Sequence, residues 1–182
     1  MTVEELIDDV IGREGGYSDH PADRGGATRW GITEAVARAQ GYRGPMRELP
    51  RVEAVRIYRR LYWTRPGFDR VAPLSMRVAA ELFDTGVNMG PGVAVSFLQR
   101  ALNALNRGQR DFPDLVLGAR VDEATVAALA NFLKTRAPHG EEVLLRALDA
   151  LQGERYLQLA ERRPANEAFL YGWLANRLGQ AG

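Results

Sequence analysis

Apolar residues recur along this chain with the period of an α-helix, segment after segment, and that rhythm leaves few fold classes open. In the first segment Val3, Leu6, Ile7, Val10 and Ile11 follow i, i+3, i+4, i+7, i+8 spacing, which is one stripe on one helix face. Thr2 and Glu5 fit a capping box, and Gly15-Gly16 stops the helix just after Glu14. A short helix is predicted over about 34–40, with Thr33 as N-cap. Another is predicted over about 51–63, with Val52, Val55, Ile57, Tyr58, Leu61 and Tyr62 at its apolar positions. Ser75 can cap a helix reaching Asn88, with Val78, Ala79, Leu82, Phe83 and Val87 inward. Helices at about 92–106, 122–135 behind Asp122, 141–162 and 166–178 complete the pattern. The stretch 17–32 breaks it with Pro21, Gly25-Gly26 and aspartates at 19 and 23, the chemistry of turns. A small β-hairpin or irregular loop is expected there, with 27–32 as a short strand. The fold class that follows is mainly α, a helical bundle with one small non-helical insertion.

Charge and composition then remove whole function classes. Lys and Arg number 24 against 23 Asp and Glu, a net charge of +1, so no field exists for binding dominated by nucleic-acid phosphates. Cysteine is absent, which excludes disulfides, thiol catalysis and Cys-ligated metal. His20 and His139 are the only histidines and read as turn and surface-loop residues. Hydrolytic chemistry here must lean on Asp, Glu, Ser, Thr or Tyr. No run approaches 18 apolar residues, so membrane insertion is not expected. The acidic, periodic N-terminus does not read as a signal peptide, and the expectation is a protein made in the cytoplasm. Residues 107–121 are the least regular stretch and the only candidate linker. They carry Phe112, Leu115, Val116 and Leu117, which a free tether would expose, so docking is expected.

The break at 14–33 gathers the residues that can carry chemistry. Glu14 ends the first helix, Asp23 lies in the glycine-rich loop, and Thr28 follows. Two carboxylates of this kind suit glycosidic hydrolysis, where one donates a proton and the other stabilises or attacks the anomeric centre or orients a water. Glu14, between apolar helix residues and a tight turn, is placed for the partial desolvation that raises a carboxyl pKa. Spacing alone equally allows a solvated helix-terminal Glu and an Asp that caps a turn. Asp84 and Asn88, four apart, can line a cleft floor or satisfy buried backbone groups. Tyr17, Trp30, Tyr62 and Trp63 can stack on sugar rings or pack in a core.

The run EGGYSDHPADRGGATRWGIT at 14–33 resembles the signature of glycoside hydrolase family 108, a lysozyme-superfamily group of phage endolysins and bacterial muramidases. Tyr58, Tyr62 and Trp63, the segment from Leu82 to Gly90, and Phe169, Gly172, Trp173 and Arg177 are similar to further family motifs. The resemblance implies a lysozyme-like α+β fold, with the small hairpin or loop beside an active-site cleft. It implies a catalytic core over 1–97 and a helical region over 98–182 resembling a peptidoglycan-binding domain. The usual D-G-x-x-G element of such domains is replaced around Gly118–Asp122, and the region is expected to pack on the core. Glu14 is implied as the catalytic acid. The spacing to Asp23 and Thr28 resembles the Glu–Asp–Thr triad of phage-type lysozymes, which suggests those two as partners. Tyr17, Trp30, Asp84 and Asn88 are the candidate substrate-binding residues. The implied activity is a muramidase that cuts the β-1,4 bond between N-acetylmuramic acid and N-acetylglucosamine with no metal and no cofactor. A monomeric endolysin released to the periplasmic wall through a holin-type pore would fit it. A lytic transglycosylase and a non-catalytic wall-binding or secretion-associated protein are the rival readings.

Overall fold

The structure, a computed structural model, describes residues 1–14, 16–19 and 26–179. The chain forms two compact units, Met1–Arg65 and Pro66–Gly182.

In the first unit the capping box starts α1 (Val3–Glu14) as its sequence requires. The Thr2 amide donates to Glu5 Oε2 at 2.7 Å and the Glu5 amide to Thr2 Oγ1 at 3.2 Å. Ile7, Val10 and Ile11 are buried, and the helix packs on α3 (Arg51–Tyr58). Between them in the chain comes a three-stranded antiparallel sheet, in order β1 (Tyr17–Ser18), β2 (Thr28–Arg29) and β3 (Ile32–Thr33). Tyr17 faces Arg29 and Ser18 faces Thr28 across the first pair, while Thr28 faces Thr33 and Arg29 faces Ile32 across the second. The single strand expected over 27–32 is therefore a hairpin. Trp30 and Gly31 form its two-residue turn, with φ of 55° and 74°. Such a turn requires positive φ at both central residues, and Gly31 supplies one of them freely. Thr33 ends the sheet and caps α2 (Glu34–Ala39), its Oγ1 accepting from the Val36 amide at 3.4 Å. A 3₁₀ turn, Met46–Glu48, leads to α3.

The helix expected over 51–63 is α-helical only to Tyr58. Arg59–Thr64 continues as a π-helical turn. Ala54, Ile57 and Tyr58 form the buried face of α3. Val52 lies off that stripe and is 73% exposed, against its expected place among the apolar positions. Trp63 is buried and Tyr62 half-buried.

The second unit is helical: α4 (Phe68–Val71), α5 (Met76–Met89), α6 (Pro91–Ala104), α7 (Glu123–Thr135), α8 (Gly140–Arg162) and α9 (Glu167–Arg177). Sequence pattern does not show α4, which has only four residues. Ser75 and Asp122 are the caps expected of them, accepting from the Val78 amide at 3.0 Å and the Thr125 amide at 2.8 Å. α5 packs against α4, α6 and α8 around Phe68, Phe83, Leu98 and Leu144. A Cβ on Gly86 would lie 3.3 Å from the Phe68 ring, so the close approach of α4 and α5 needs a residue without one.

The irregular stretch after α6 is held by three side-chain amides, Gln99 and Asn103 of that helix and Asn106 just beyond its end. Asn103 and Asn106 each donate to and accept from one loop residue's backbone, Leu115 and Phe112 respectively, at 2.6–3.1 Å. Gln99 accepts from the Gly118 amide at 2.8 Å and donates to Thr125 Oγ1 at 3.1 Å. Of the four apolar residues expected to dock, Phe112 and Leu115 do so. Val116 is 89% exposed and Leu117 also faces outward, because these polar clamps, and not apolar burial, fix the backbone there. The α9 helix leans on α8, with Trp173 stacked on Tyr156 at a centroid distance of 5.3 Å. Phe169 beside it is 59% exposed. No described helix is long and apolar enough to cross a membrane.

Candidate active site

Glu14 is the last residue of α1, and the chain enters the sheet at Tyr17. The backbone thus puts Glu14 and the hairpin at one corner of the first unit. Thr28 pairs with Ser18 in the sheet, and its hydroxyl donates to the Gly26 carbonyl at 3.4 Å. Tyr17 donates to Asp19 Oδ2 at 3.0 Å, and the Arg47 guanidinium lies 4.4 Å from its ring centroid. Asp23 and His20 lie outside the described residues.

Trp30 is the fixed point of this corner. A bulky residue at positive φ costs on the order of 1 kcal/mol. Two long-range hydrogen bonds offset that cost. The Trp30 indole donates to the Leu49 carbonyl at 3.0 Å, and Tyr58 Oη donates to the Trp30 carbonyl at 3.1 Å. Arg29 stands over the indole at 5.2 Å. The hairpin tip is thereby fastened to the chain around the 3₁₀ turn and to α3. Nothing in the local sequence pointed to Arg29, Arg47 or Tyr58 in these roles, because each acts on a residue it meets only after folding.

Asp84 and Asn88 lie together on α5 in the second unit. Asn88 Nδ2 donates to both Asp84 Oδ2 and the Asp84 carbonyl at 2.9 Å. On a neighbouring face of the same helix is a buried polar chain that sequence reading missed. Gln152 Nε2 of α8 donates to Thr85 Oγ1 at 2.9 Å, and Thr85 donates to Glu81 Oε1 at 3.3 Å. Glu81 is 6% exposed. Burial pushes its carboxyl up to about 7, and the charges of Asp149 and Asp84 push the same way. Gln152 Oε1 and Asp149 Oδ1 are buried with no hydrogen-bond partner among the described residues. A cluster so rich in acceptors gains from a proton held on Glu81.

Residues 7–90 match the family model described as Glycosyl hydrolase 108, and residues 93–178 match that of the Predicted Peptidoglycan domain. SagA of Brucella abortus, a solved structure, is similar to this chain at 25% identity and a TM-score of 0.68, covering 95% of this chain and 87% of SagA. No curated protein matches the chain in sequence. A mainly α fold with a small antiparallel sheet, carrying these two matches, defines a glycoside hydrolase that acts on peptidoglycan. Residues 7–90 thus carry a glycosyl hydrolase family 108 segment, and a predicted peptidoglycan domain follows it over 93–178. The hydrolase match runs through α5, and α5 shares its core with α6 and α8 of the second match.

Proposed function

We propose that the protein is an N-acetylmuramidase of the lysozyme type, cutting the β-1,4 bond between N-acetylmuramic acid and N-acetylglucosamine. The observation that carries the reading is Glu14 at the end of α1, where the chain turns into the sheet inside the hydrolase match. Glu14 donates the proton to the leaving sugar oxygen. Asp23 is the partner carboxylate that stabilises the charge developing at the anomeric carbon. Thr28 orders the loop and the water beside it. Tyr17, Trp30, Asp84 and Asn88 serve substrate binding, Trp30 chiefly by holding the hairpin in place. Residues 1–97 act as the catalytic core, and 98–182 pack on its last helices, a reading supported by the burial of α6 and α8 against α5. The role we favour is a monomeric, phage-type endolysin released to the wall through a holin-type pore.

Mass analysis of digested peptidoglycan tests the bond and the reaction class together. Products ending in reducing muramic acid are expected. Ends in 1,6-anhydro-muramic acid would make the protein a lytic transglycosylase, and ends in reducing glucosamine would move the cut to the other bond. Glu14→Gln, which cannot donate the proton, is expected to lower clearance of permeabilised cells by at least about 100-fold with an unchanged circular dichroism spectrum. More than a tenth of wild-type clearance would sink the assignment of Glu14.

A further inference from the structure

In the second unit α6 and α8 pack side by side, and a groove of about 410 Å³ runs between them. That volume falls within the range of small-ligand sites, about 300–1,000 Å³. Each helix contributes a stripe: Ser96, Phe97 and Arg100 from α6, and Leu151, Arg155 and Gln158 from α8. Phe97 and Leu151 supply an apolar floor. Arg100 and Arg155 stand on the walls, and neither makes a hydrogen bond or ion pair with any described residue. Four other arginines of the unit are paired: Arg70 with Glu123, Arg77 with Glu141, Arg107 with Asp111, and Arg146 with Glu142. The lining includes one carboxylate, Glu154, which accepts from Gln158 Nε2 at 2.8 Å. One end of the groove is bounded by Gly92 and Val93 in the first turn of α6, where Gly90 supplies no side-chain cap. The uncapped positive end of a helix adds to the preference for an anion.

We infer that this groove binds peptidoglycan through the free carboxylates of its stem peptides. With each muramic acid's lactyl carboxyl tied in an amide to its stem peptide the N-acetylated sugars are uncharged, so the stem peptides carry the anions to which two unpaired guanidiniums respond. Guanidinium matches carboxylate in shape as well as charge, with two parallel N–H···O bonds. Phe97 and Leu151 suit the short alkyl side chains of such a peptide. Ser96 and Gln158 can bond its amides. The inference rests on the reading of the chain as a peptidoglycan hydrolase, but it uses no residue of the catalytic corner. It gives the second unit a purpose of its own, that of holding the enzyme on peptide-bearing wall while Glu14 cuts.

The test compares two forms of the wall with the full chain. One is purified sacculi, and the other is glycan strands stripped of their peptides by an amidase, with the lactyl carboxyls that this cleavage frees capped as amides. Wild type is expected to bind sacculi at least fivefold more tightly than stripped strands. The pair R100Q/R155Q is expected to lose that fivefold advantage and to cut stripped strands at the wild-type rate. The pair R100K/R155K keeps the charge without the fork and is expected to recover part of the affinity. Equal binding of sacculi by wild type and R100Q/R155Q overturns the site. So does a wild type with no preference for peptide-bearing wall, or one that binds neither form. Arginine-dependent binding in a protein whose Glu14→Gln variant still cuts would leave the groove standing and defeat the assignment of Glu14. Glu14-dependent cutting without arginine-dependent binding would do the reverse.

Discussion

The two units handle polar side chains in opposite ways. In the first, the candidate catalytic corner is built on strands of two residues each and a two-residue turn. Its order comes from a few long-range bonds, chiefly those of Trp30 with Leu49 and Tyr58. In the second, helices of 14 and 23 residues carry the weight, and the polar groups turn inward. Gln99, Asn106, Thr125 and Gln152 are all fully or almost fully buried, clamping a loop or bridging two helices. The contrast follows from what each unit must do. Side chains that meet a substrate need irregular backbone to present them, and a small number of anchors to keep that backbone still. A helical unit with an apolar core can spend its buried amides on fixing which loop and which helix sit where.

The comparison can be broken most directly at the catalytic corner. Asp23→Ala is expected to lower the rate by about 100-fold, the usual effect of removing a group that stabilises transition-state charge. Thr28→Ala is expected to cost less than about tenfold, the equivalent of one hydrogen bond. Wild-type kinetics in the Asp23 variant would turn the assignment toward the transglycosylase reading, or toward another partner such as Asp84. Thr28→Ala should not shift the thermal midpoint by more than a few degrees, because Thr28 is half-buried and outside the core.

Asn106→Ala should behave in the opposite sense. It strands the amide and carbonyl of Phe112, both bonded to the Asn106 side chain. Stability is expected to fall by about 2 kcal/mol, measured by urea denaturation, with activity at low temperature retained. A variant as stable as wild type would show that the loop is held without Asn106, by the other amide clamps and the burial of Phe112 and Leu115.

The buried chain on α5 predicts a pH-dependent effect. Unfolded, Glu81 loses its proton near 4.5; folded, near 7. Between those values the folded protein keeps a proton that the unfolded chain has released. The contribution of Glu81 to stability is therefore fully present below about 4.5, falls as the pH rises through that window, and is lost above 7. Glu81→Gln never ionises, so its stability should lose this slope and exceed that of wild type at pH 8. Parallel pH profiles for the two proteins would contradict the account. The smallest expected change is Trp30→Phe, which keeps the ring and loses the bond to the Leu49 carbonyl. A stability loss of about 1 kcal/mol with reduced activity is expected. Unchanged activity would mean that the hairpin tip is not what positions the corner.

Several elements could be read from the sequence because their causes are local. The capping box of Thr2 and Glu5, and the caps Thr33, Ser75 and Asp122, act within three residues of themselves. The stripe of Ile7, Val10 and Ile11 is a matter of helical period. The glycine-rich break after Glu14 was legible for the same reason, as was its likeness to a hydrolase signature.

What the sequence left open was decided by segments far apart in the chain. A run such as Ala27–Ile32 has strand character throughout; only the Leu49 carbonyl and Tyr58 hydroxyl make Trp30 and Gly31 its turn. Val52 has the residue type of a core position, yet α3 buries the face of Ala54, Ile57 and Tyr58. Glu81 and Gln152 have the residue types of a surface, yet they are enclosed where α5 meets α8. Phe169 and Val116 are apolar and exposed because nothing described covers them. Period and capping act through one turn of backbone and are written in neighbouring residues. Burial depends on which surface arrives opposite, and only the folded chain brings that surface there.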